Sequence, residues 1–360
     1  MNKCLVSHAD LNVITMKSFV TSVFRGKNGY GVLIMGIFLM PLMLMSCKKN
    51  QEAVSFRGEA QGTYYAITYF DAQSRNLQVQ MDSLFRNFDL SASVYSNESV
   101  ISRFNWNDST VMADQIFEAV FNKAMDVSER TNGAFDVTVM PLVNAWGFGY
   151  TERSKVDSAM VDSLLTLVGY QRIKLENKRL YKEDSRILID FNAIAQGYTC
   201  DLIGKFLESK GIFNYLIDVG GEVLGKGEKP DGSPWRVAIE KPAENAMDER
   251  SIQVAVPLYN RALATSGNYR SYIIENGKKY SHTIDPATGF PVEHSVLSVS
   301  VIALDCMTAD AYATAFMVMG LEKSQLFLKE NTDLQAYIIY DNDGTLSVWS
   351  SEGFPKDNVE

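Results

Sequence analysis

The chain has 360 residues, 46% of them hydrophobic and 21% charged, which is enough apolar material for a sizeable core and too much for a disordered chain. Its formal net charge is −9 and no basic stripe runs through it, which excludes a nucleic-acid binder that works through phosphate contacts. There is no internal repeat, low-complexity tract, CxxC pair or His-rich tract, so repeat architectures and zinc sites are also set aside.

The N-terminus reads as a targeting segment. Lys17, Arg25 and Lys27 precede an apolar run over 32–45, short for a membrane span, which closes as Leu44-Met45-Ser46-Cys47. A basic region, an apolar run, a small residue and then Cys is the form of a bacterial lipoprotein leader. The expectation is a signal peptide over 1–46, a lipid on Cys47, a tether over 47–55 and a folded domain over 56–360. The alternatives on the same residues are an ordinary signal peptide or a single anchor. The leader carries Lys3, Lys17, Arg25 and Lys27 against Asp10, so the body behind it is more acidic than the whole chain. Of the four cysteines, Cys200 and Cys306 remain in that body. Isolated on apolar faces they read as buried thiols, and an exported protein also offers them a disulfide.

In chain order, the β-formers of 63–69 predict a strand over 56–69 with Gly62 inside it. Leu77, Met81, Leu84, Phe85 and Phe88 recur at helical spacing and predict an amphipathic helix over 76–89. A loop over 93–105 passes into a short helical turn, and a helix over 114–131 stops at Asn132-Gly133. Apolar residues then alternate with Asp136 and Thr138 until Pro141 breaks the pattern. A helix over 155–168 and a hairpin of 173–175 with 179–182 follow. The run I-L-I-D-F-N-A-I-A-Q-G over 187–197 reads as a strand leaving through a polar turn into a helix over 198–210. A buried strand over 215–221 ends at Asp218 and a Gly pair. Gly220, Gly221, Gly225 and Gly227 lack the helix start of a nucleotide loop and read as turns between strands. Strands over 235–240, 252–256, 262–266, 269–275 and 296–303, a helix over 321–331, and strands over 335–340 and 346–350 complete the chain. Strands and helices mix without βαβ regularity, which gives the α+β class.

The stretch over 281–319 carries the most chemistry. A polar turn, S-H-T-I-D-P-A-T-G, holds His282 and Asp285; a strand leads away from it, and a helix follows with Asp310 and Thr314. Residues four apart in a helix lie one above the other, so a carboxylate and a hydroxyl point the same way from an apolar helix. Two such oxygens suit a hard cation such as Mg2+. The same residues also have a structural reading. Asp310 would sit in the first turn after an N-cap at Thr308, Thr314 would bond back to a carbonyl, and His282 would be a satisfied polar residue beside a Pro-Gly turn.

Eight stretches, in order along nearly the whole body, resemble the ApbE family, the FAD:protein FMN transferases. They are G-T-Y-Y at 62–65, Y-S-N-E-S-V-I-S-R-F-N at 95–105, G-A-F-D-V-T-V-M-P-L-V-N-A-W-G-F-G at 133–149, I-D-F-N-A-I-A-Q-G-Y at 189–198, D-V-G-G-E at 218–222, T-S-G-N-Y-R at 265–270, H-T-I-D-P-A-T-G-F-P at 282–291 and T-A-D-A-Y-A-T-A at 308–315. The resemblance implies a two-lobed α+β fold, FAD as substrate in a cleft and Mg2+ at its pyrophosphate. It implies transfer of FMN from FAD onto a Thr or Ser hydroxyl of a target protein through a phosphoester bond, with release of AMP. By position it implies Asp310, Thr314 and the backbone carbonyl of Ala195 as metal ligands, and Tyr95 stacked on the isoalloxazine. Ala134, Phe135 and Asp136 would contact the nucleotide; Asn192, Thr265, Ser266 and Gly267 would line the phosphate path; Ile284 would join the cofactor contacts. His282, oriented by Asp285, would act near the transferred phosphate. Gln61 stands where many members carry Met, which bears on a flavin contact, and Gln196 where many carry Lys, which bears on charge near the phosphates.

Physical chemistry is consistent with that scheme. An acidic protein needs a cation to hold a pyrophosphate, and the cation also polarises the phosphorus. The attacking alcohol needs a base, and a histidine suits that task. The implied acceptor is a subunit of a membrane electron-transfer complex, met by an anchored lipoprotein facing the periplasm. Water in place of the acceptor would make the same site an FAD pyrophosphatase yielding FMN and AMP. Without turnover the protein would be an FAD-binding lipoprotein.

Overall fold

The structure, a computed structural model, describes residues 52–149, 156–242, 251–268, 272–275 and 278–357; the expected leader and Cys47 lie outside the described residues. The first element is a hairpin of β1 (Ala53–Ala60) and β2 (Thr63–Phe70), not the single strand expected over 56–69. Gln61 and Gly62 take φ of 54° and 72°, the positive values of a two-residue hairpin turn, so the glycine read as strand interior is the turn itself. β1 starts at Ala53, inside the expected tether. Helices α1 (Gln78–Ala92), α2 (Val100–Asn105) and α3 (Gln115–Arg130) follow the expected spacing, with Ser99 and Asp114 capping the second and third through their side chains. Asn132 and Gly133, at φ 51° and 80°, end α3. The alternation after Gly133 belongs to turns that lead into α4 (Met140–Ala145), where Pro141 occupies the first turn. Helix α5 (Ser158–Leu165) and the hairpin of β3 (Ile173–Glu176) and β4 (Arg179–Lys182) come next.

The strand expected over 187–190 does not form. Its backbone is satisfied by side chains and by neighbouring loops instead of a ladder. The Asn105 amide donates from Nδ2 to Ile189 O at 2.9 Å and accepts at Oδ1 from Ile189 N at 2.8 Å. Lys182 Nζ donates to Ile187 O at 3.0 Å, and Asp190 N donates to Val137 O at 2.8 Å. An apolar extended segment can therefore be buried without a strand partner, because the backbone groups of the buried Ile187 and Ile189 still have partners. Asn105→Ala leaves the Ile189 donor and acceptor unpaired in the core. At about 1–3 kcal/mol for each such group, a loss of about 3 kcal/mol is expected in urea unfolding; a change below about 0.5 kcal/mol would show that the segment finds other partners.

The helix expected over 198–210 starts earlier, as α6 (Ala195–Ser209). Then come β5 (Tyr215–Val219), β6 (Glu222–Lys226), the ribbon of β7 (Trp235–Glu240) and β8 (Ile252–Leu258), β9 (Arg261–Gly267), and the pair β10 (Tyr272–Glu275) and β11 (Lys278–Ser281). The chain closes with β12 (Val296–Ala303), α7 (Cys306–Glu330), β13 (Gln335–Asn342) and β14 (Thr345–Ser350). Gly320, at φ 75°, breaks α7 and separates the expected helix over 321–331 from the one that carries Asp310 and Thr314.

Eight strands form one antiparallel sheet in the order β1-β2-β5-β6-β9-β12-β13-β14. Side chains alternate across it. Ala262, Ala264, Val299, Val301 and Ile338 face the main core with Phe85, Phe117, Ile203 and Phe316 from the helices. Leu263, Ile302, Tyr337 and Ile339 face the opposite way, onto Trp235, Val256 and Leu258 of the β7–β8 ribbon. A third small cluster of Leu142, Trp146, Val161 and Ile284 ties α4 and α5 to the polar turn after β11, and Trp146 Nε1 donates to Gly289 O at 2.9 Å. One irregularity positions the site. β6 and β9 pair only at Val223–Leu263, Leu224–Ala262 and Gly225–Arg261, while β9 runs on to Gly267 along β12. Beyond Val223 the sheet is split.

Candidate active site

A cleft of about 820 Å³ occupies this split. It brings together Ala134, Phe135, Asp136, Asn192, Thr265, Ser266, Gly267, His282, Ile284, Asp310 and Thr314, residues up to 180 positions apart in the sequence. Gln196 lines it as well.

Asp310 enters from α7. The N-cap of that helix is Asp305, which accepts from Thr308 N at 2.8 Å, so Thr308 is not the cap and Asp310 lies beyond the first turn. A second carboxylate, Asp201 of α6, accepts from Cys306 N at 2.8 Å and Met307 N at 2.9 Å. The helix end is thus capped without Asp310, which is free of the dipole role in the structural reading. Asp310 is 7% exposed, and its Oδ2 accepts from Gly197 N at 3.0 Å. Burial pushes its carboxyl well above the ordinary range, the charge of Asp201 adds to that, and the Gly197 hydrogen bond opposes it. Only glycine fits at 197: a Cβ would stand 2.5 Å from Cys306 O and 2.8 Å from Asp310 Cβ. That close approach delivers the Gly197 N–H to the carboxylate. The Thr314 hydroxyl meets Ser266 of β9 at 3.1 Å instead of a carbonyl one turn back, and Thr265 meets Ser300 at 2.7 Å. A buried carboxylate beside two hydroxyls is an all-oxygen donor set, which fits a hard cation. Among the described residues no three His, Cys, Asp or Glu side chains cluster as a metal site.

Four expected residues are not in the cleft lining. Ala195 is the first residue of α6, and its carbonyl accepts from the Thr199 hydroxyl at 3.0 Å, which turns it into the helix. Ala193, on the turn before α6, lines the cleft. Gln61 donates from Nε2 to the same Thr199 hydroxyl at 2.8 Å and so braces the β1–β2 turn against α6, while its buried Oε1 has no partner. Tyr95 is 67% exposed and lies away from the cleft lining. Asp285 holds its own turn: Oδ1 accepts from Ala287 N at 2.9 Å and its carbonyl from Gly289 N at 2.8 Å. His282 has the edge of Phe148 against it, with ring centroids 6.3 Å apart and planes at 68°.

Other lining residues escaped the sequence reading. Asp190 is half-buried and pushed up to about 6 by desolvation, against hydrogen bonds from Asn192 N at 2.8 Å and Nδ2 at 3.2 Å. Its signal was an acid inside an apolar run. Asp218 accepts from Gly221 N at 3.1 Å and from the Tyr64 hydroxyl at 3.3 Å, and burial raises its carboxyl. Asp136, which the sequence did point to, is raised by burial while it accepts from Thr138 and from Tyr170 N, so it braces the wall it lines. With Glu222, Glu240 and Asp310 these acids face one described cation of the lining, Arg236. Cys200 and Cys306 are free, fully buried thiols.

The model of the ApbE family matches residues 61–338. A FAD:protein FMN transferase of Vibrio cholerae is 38% identical over 323 residues, covering 87% of this chain and 96% of the relative; one of Haemophilus influenzae is 34% identical over 340 residues, covering 90% and 97%. Among solved structures, the flavin transferase ApbE of Vibrio cholerae superposes with a TM-score of 0.75 at 34% identity, over 84% of this chain and 98% of that one. The apo form of the Pseudomonas stutzeri flavinyl transferase ApbE superposes with a TM-score of 0.76 at 31% identity, over 84% and 96%. The mixed helix and sheet architecture is thus that of the flavin transferases, in agreement with the expected α+β class.

Proposed function

The chain belongs to the ApbE family, and from that membership we propose an Mg2+-dependent FAD:protein FMN transferase that moves FMN from FAD onto a Thr or Ser hydroxyl and releases AMP. The observation that carries this reading is the wall where Asp310 and Thr314 of α7 meet Ser266 of β9 beside the turn of Asn192 and Ala193. Asp310, Thr314 and the backbone carbonyl of Ala195, whose second lone pair is not used by the Thr199 hydroxyl, would hold the ion. Mg2+ bound there supplies charge neutralisation at the diphosphate and polarises the phosphorus.

The chain's own groups do the rest. Asn192, Thr265, Ser266 and Gly267 position the diphosphate. Phe135, Val139, Val143 and Phe148 form an apolar wall that keeps water from the reacting centre. His282 takes the proton of the acceptor hydroxyl. The acceptor oxygen bonds to the FMN-side phosphorus, and the bridging P–O bond breaks opposite it with AMP as leaving group. Co-expression with candidate acceptors, read as flavin fluorescence that survives denaturing electrophoresis, tests the reading. Release of FMN and AMP with no labelled protein would replace it by FAD hydrolysis.

Export as a lipoprotein belongs to the same proposal, resting on the Leu44-Met45-Ser46-Cys47 boundary after an apolar run. The acceptor would then be a subunit of a membrane electron-transfer complex facing the periplasm. Cys47→Ala should shift the protein from the membrane to the soluble fraction with its transferase activity intact. Unchanged fractionation would remove the lipid anchor from the proposal.

A further inference from the structure

The cleft is built on both faces of the sheet. Asp310, Thr314, Ser266, Ala193 and Gln196 lie on the helix face. Tyr64, Leu216, Asp218, Val223 and Leu263 alternate with the main-core residues Tyr65, Ile217, Leu224 and Ala262, so they lie on the face covered by the β7–β8 ribbon. Residues 236–240 of β7 close that second half. The two halves join where β6 and β9 part beyond Val223 and Leu263. A ligand held on the helix face is thus open to approach from the opposite face through the split.

In-line displacement at phosphorus requires the attacking oxygen and the leaving oxygen on opposite sides of the atom. Here both flanking groups are large, a nucleotide on one side and a polypeptide on the other. A pocket with one mouth forces them into the same space, whereas a split that opens on two faces separates them. We infer that the ribbon-side half of the cleft is the docking groove for the acceptor polypeptide, an extended segment whose Thr or Ser hydroxyl enters the split between β6 and β9. This rests on the transferase reading above.

The groove's chemistry describes the segment. Leu216, Val223, Val237 and Leu263 form an apolar strip that takes a hydrophobic side chain next to the hydroxyl residue. Asp218 and Glu240 flank that strip, and Arg236 is held by Asp357 at 2.8 Å. This charge pattern disfavours an acidic residue beside the hydroxyl. The transfer balances without any further reactant: the acceptor O–P bond forms, the pyrophosphate P–O bond breaks, the hydroxyl proton leaves to the base and AMP departs.

Ala238 lines the cleft and is exposed, alternating with the inward Trp235, Val237 and Ile239, so a larger side chain there stands at the rim of the groove and leaves the core packing alone. The test uses the full-length chain, FAD, and an acceptor protein that the wild type labels in co-expression. Ala238→Trp should raise the KM for the acceptor at least about tenfold while the FAD dissociation constant and the slow release of FMN to water stay within about twofold. Ala238→Ser should restore the wild-type KM. A tenfold loss of FAD affinity in Ala238→Trp would give the groove to FAD and overturn the inference, and so would an unchanged acceptor KM. If the wild type labels no protein, the transferase reading itself falls, an outcome distinct from a groove variant that misbehaves.

Discussion

Asp310→Ala is expected to lose transferase activity by at least about 10³-fold, equivalent to about 4 kcal/mol of barrier. The argument is one of charge. Asp310 is the charged member of the oxygen set formed with Thr314 and Ser266, and the remaining acids of the lining stand elsewhere on the cleft wall. Removing it leaves neutral oxygens, which hold a hard cation weakly. The fold should tolerate the change. The variant loses one hydrogen bond, from Gly197 N, but also relieves a carboxylate that burial and Asp201 both disfavour. Thermal midpoints are therefore expected to lie close together while activity separates. Treatment of the wild type with a chelator should reproduce the loss, and added Mg2+ should restore the wild type alone. Asp310→Asn keeps the shape and the contact with Gly197, so it separates charge from geometry. If Asp310→Asn retained full activity in chelator-treated buffer, the cation assignment at this residue would fail.

What the sequence disclosed and what it hid follow from the range of the interactions. The helix of Asp310 and Thr314 was legible because both residues sit on one periodic segment, and their facing is fixed by the helix itself. The misread cap at Thr308 has a local cause: Asp305 and Thr308 are both cap formers three residues apart, and the Asp201 contact that completes the cap comes from another helix. The 187–190 segment looked like a strand because its apolar residues are buried, yet its hydrogen-bond partner is a side chain 84 positions away. The hairpin turn at Gln61-Gly62 was hidden because the β-formers that follow it, Thr63 to Tyr69, dominate the stretch and a lone glycine can also sit inside a strand. The split between β6 and β9 had no sequence signature. It arises where pairing stops: β6 begins at Glu222 after the Gly220-Gly221 turn, while β9 runs on through Thr265-Ser266-Gly267.

The second large effect is expected at His282. It lines the cleft on the turn after β11, with Phe148 packed edge-on against its ring. Asp285 spends its carboxylate on Ala287 N and its carbonyl on Gly289 N, which fixes the turn that presents His282. If His282 takes the acceptor's proton, His282→Ala should lower turnover by about 10²–10⁴-fold, since that is what a positioned base contributes, with FAD affinity little changed. A bracing role gives a different pattern: weaker FAD binding and a pH profile of unchanged shape. The two separate in single-turnover FMN transfer measured across neutral pH. The wild-type rate should rise as the imidazole loses its proton, and His282→Ala should be slow and flat over the same range. Asp285→Asn supplies the control, because its amide oxygen still accepts from Ala287 N; it should keep the rising limb and lose only a small factor in rate. A His282→Ala profile that still rises like the wild type would place the base elsewhere, with Asp285 and then Asp190 and Asp218, two half-buried acids of the cleft lining, as the next residues to exchange.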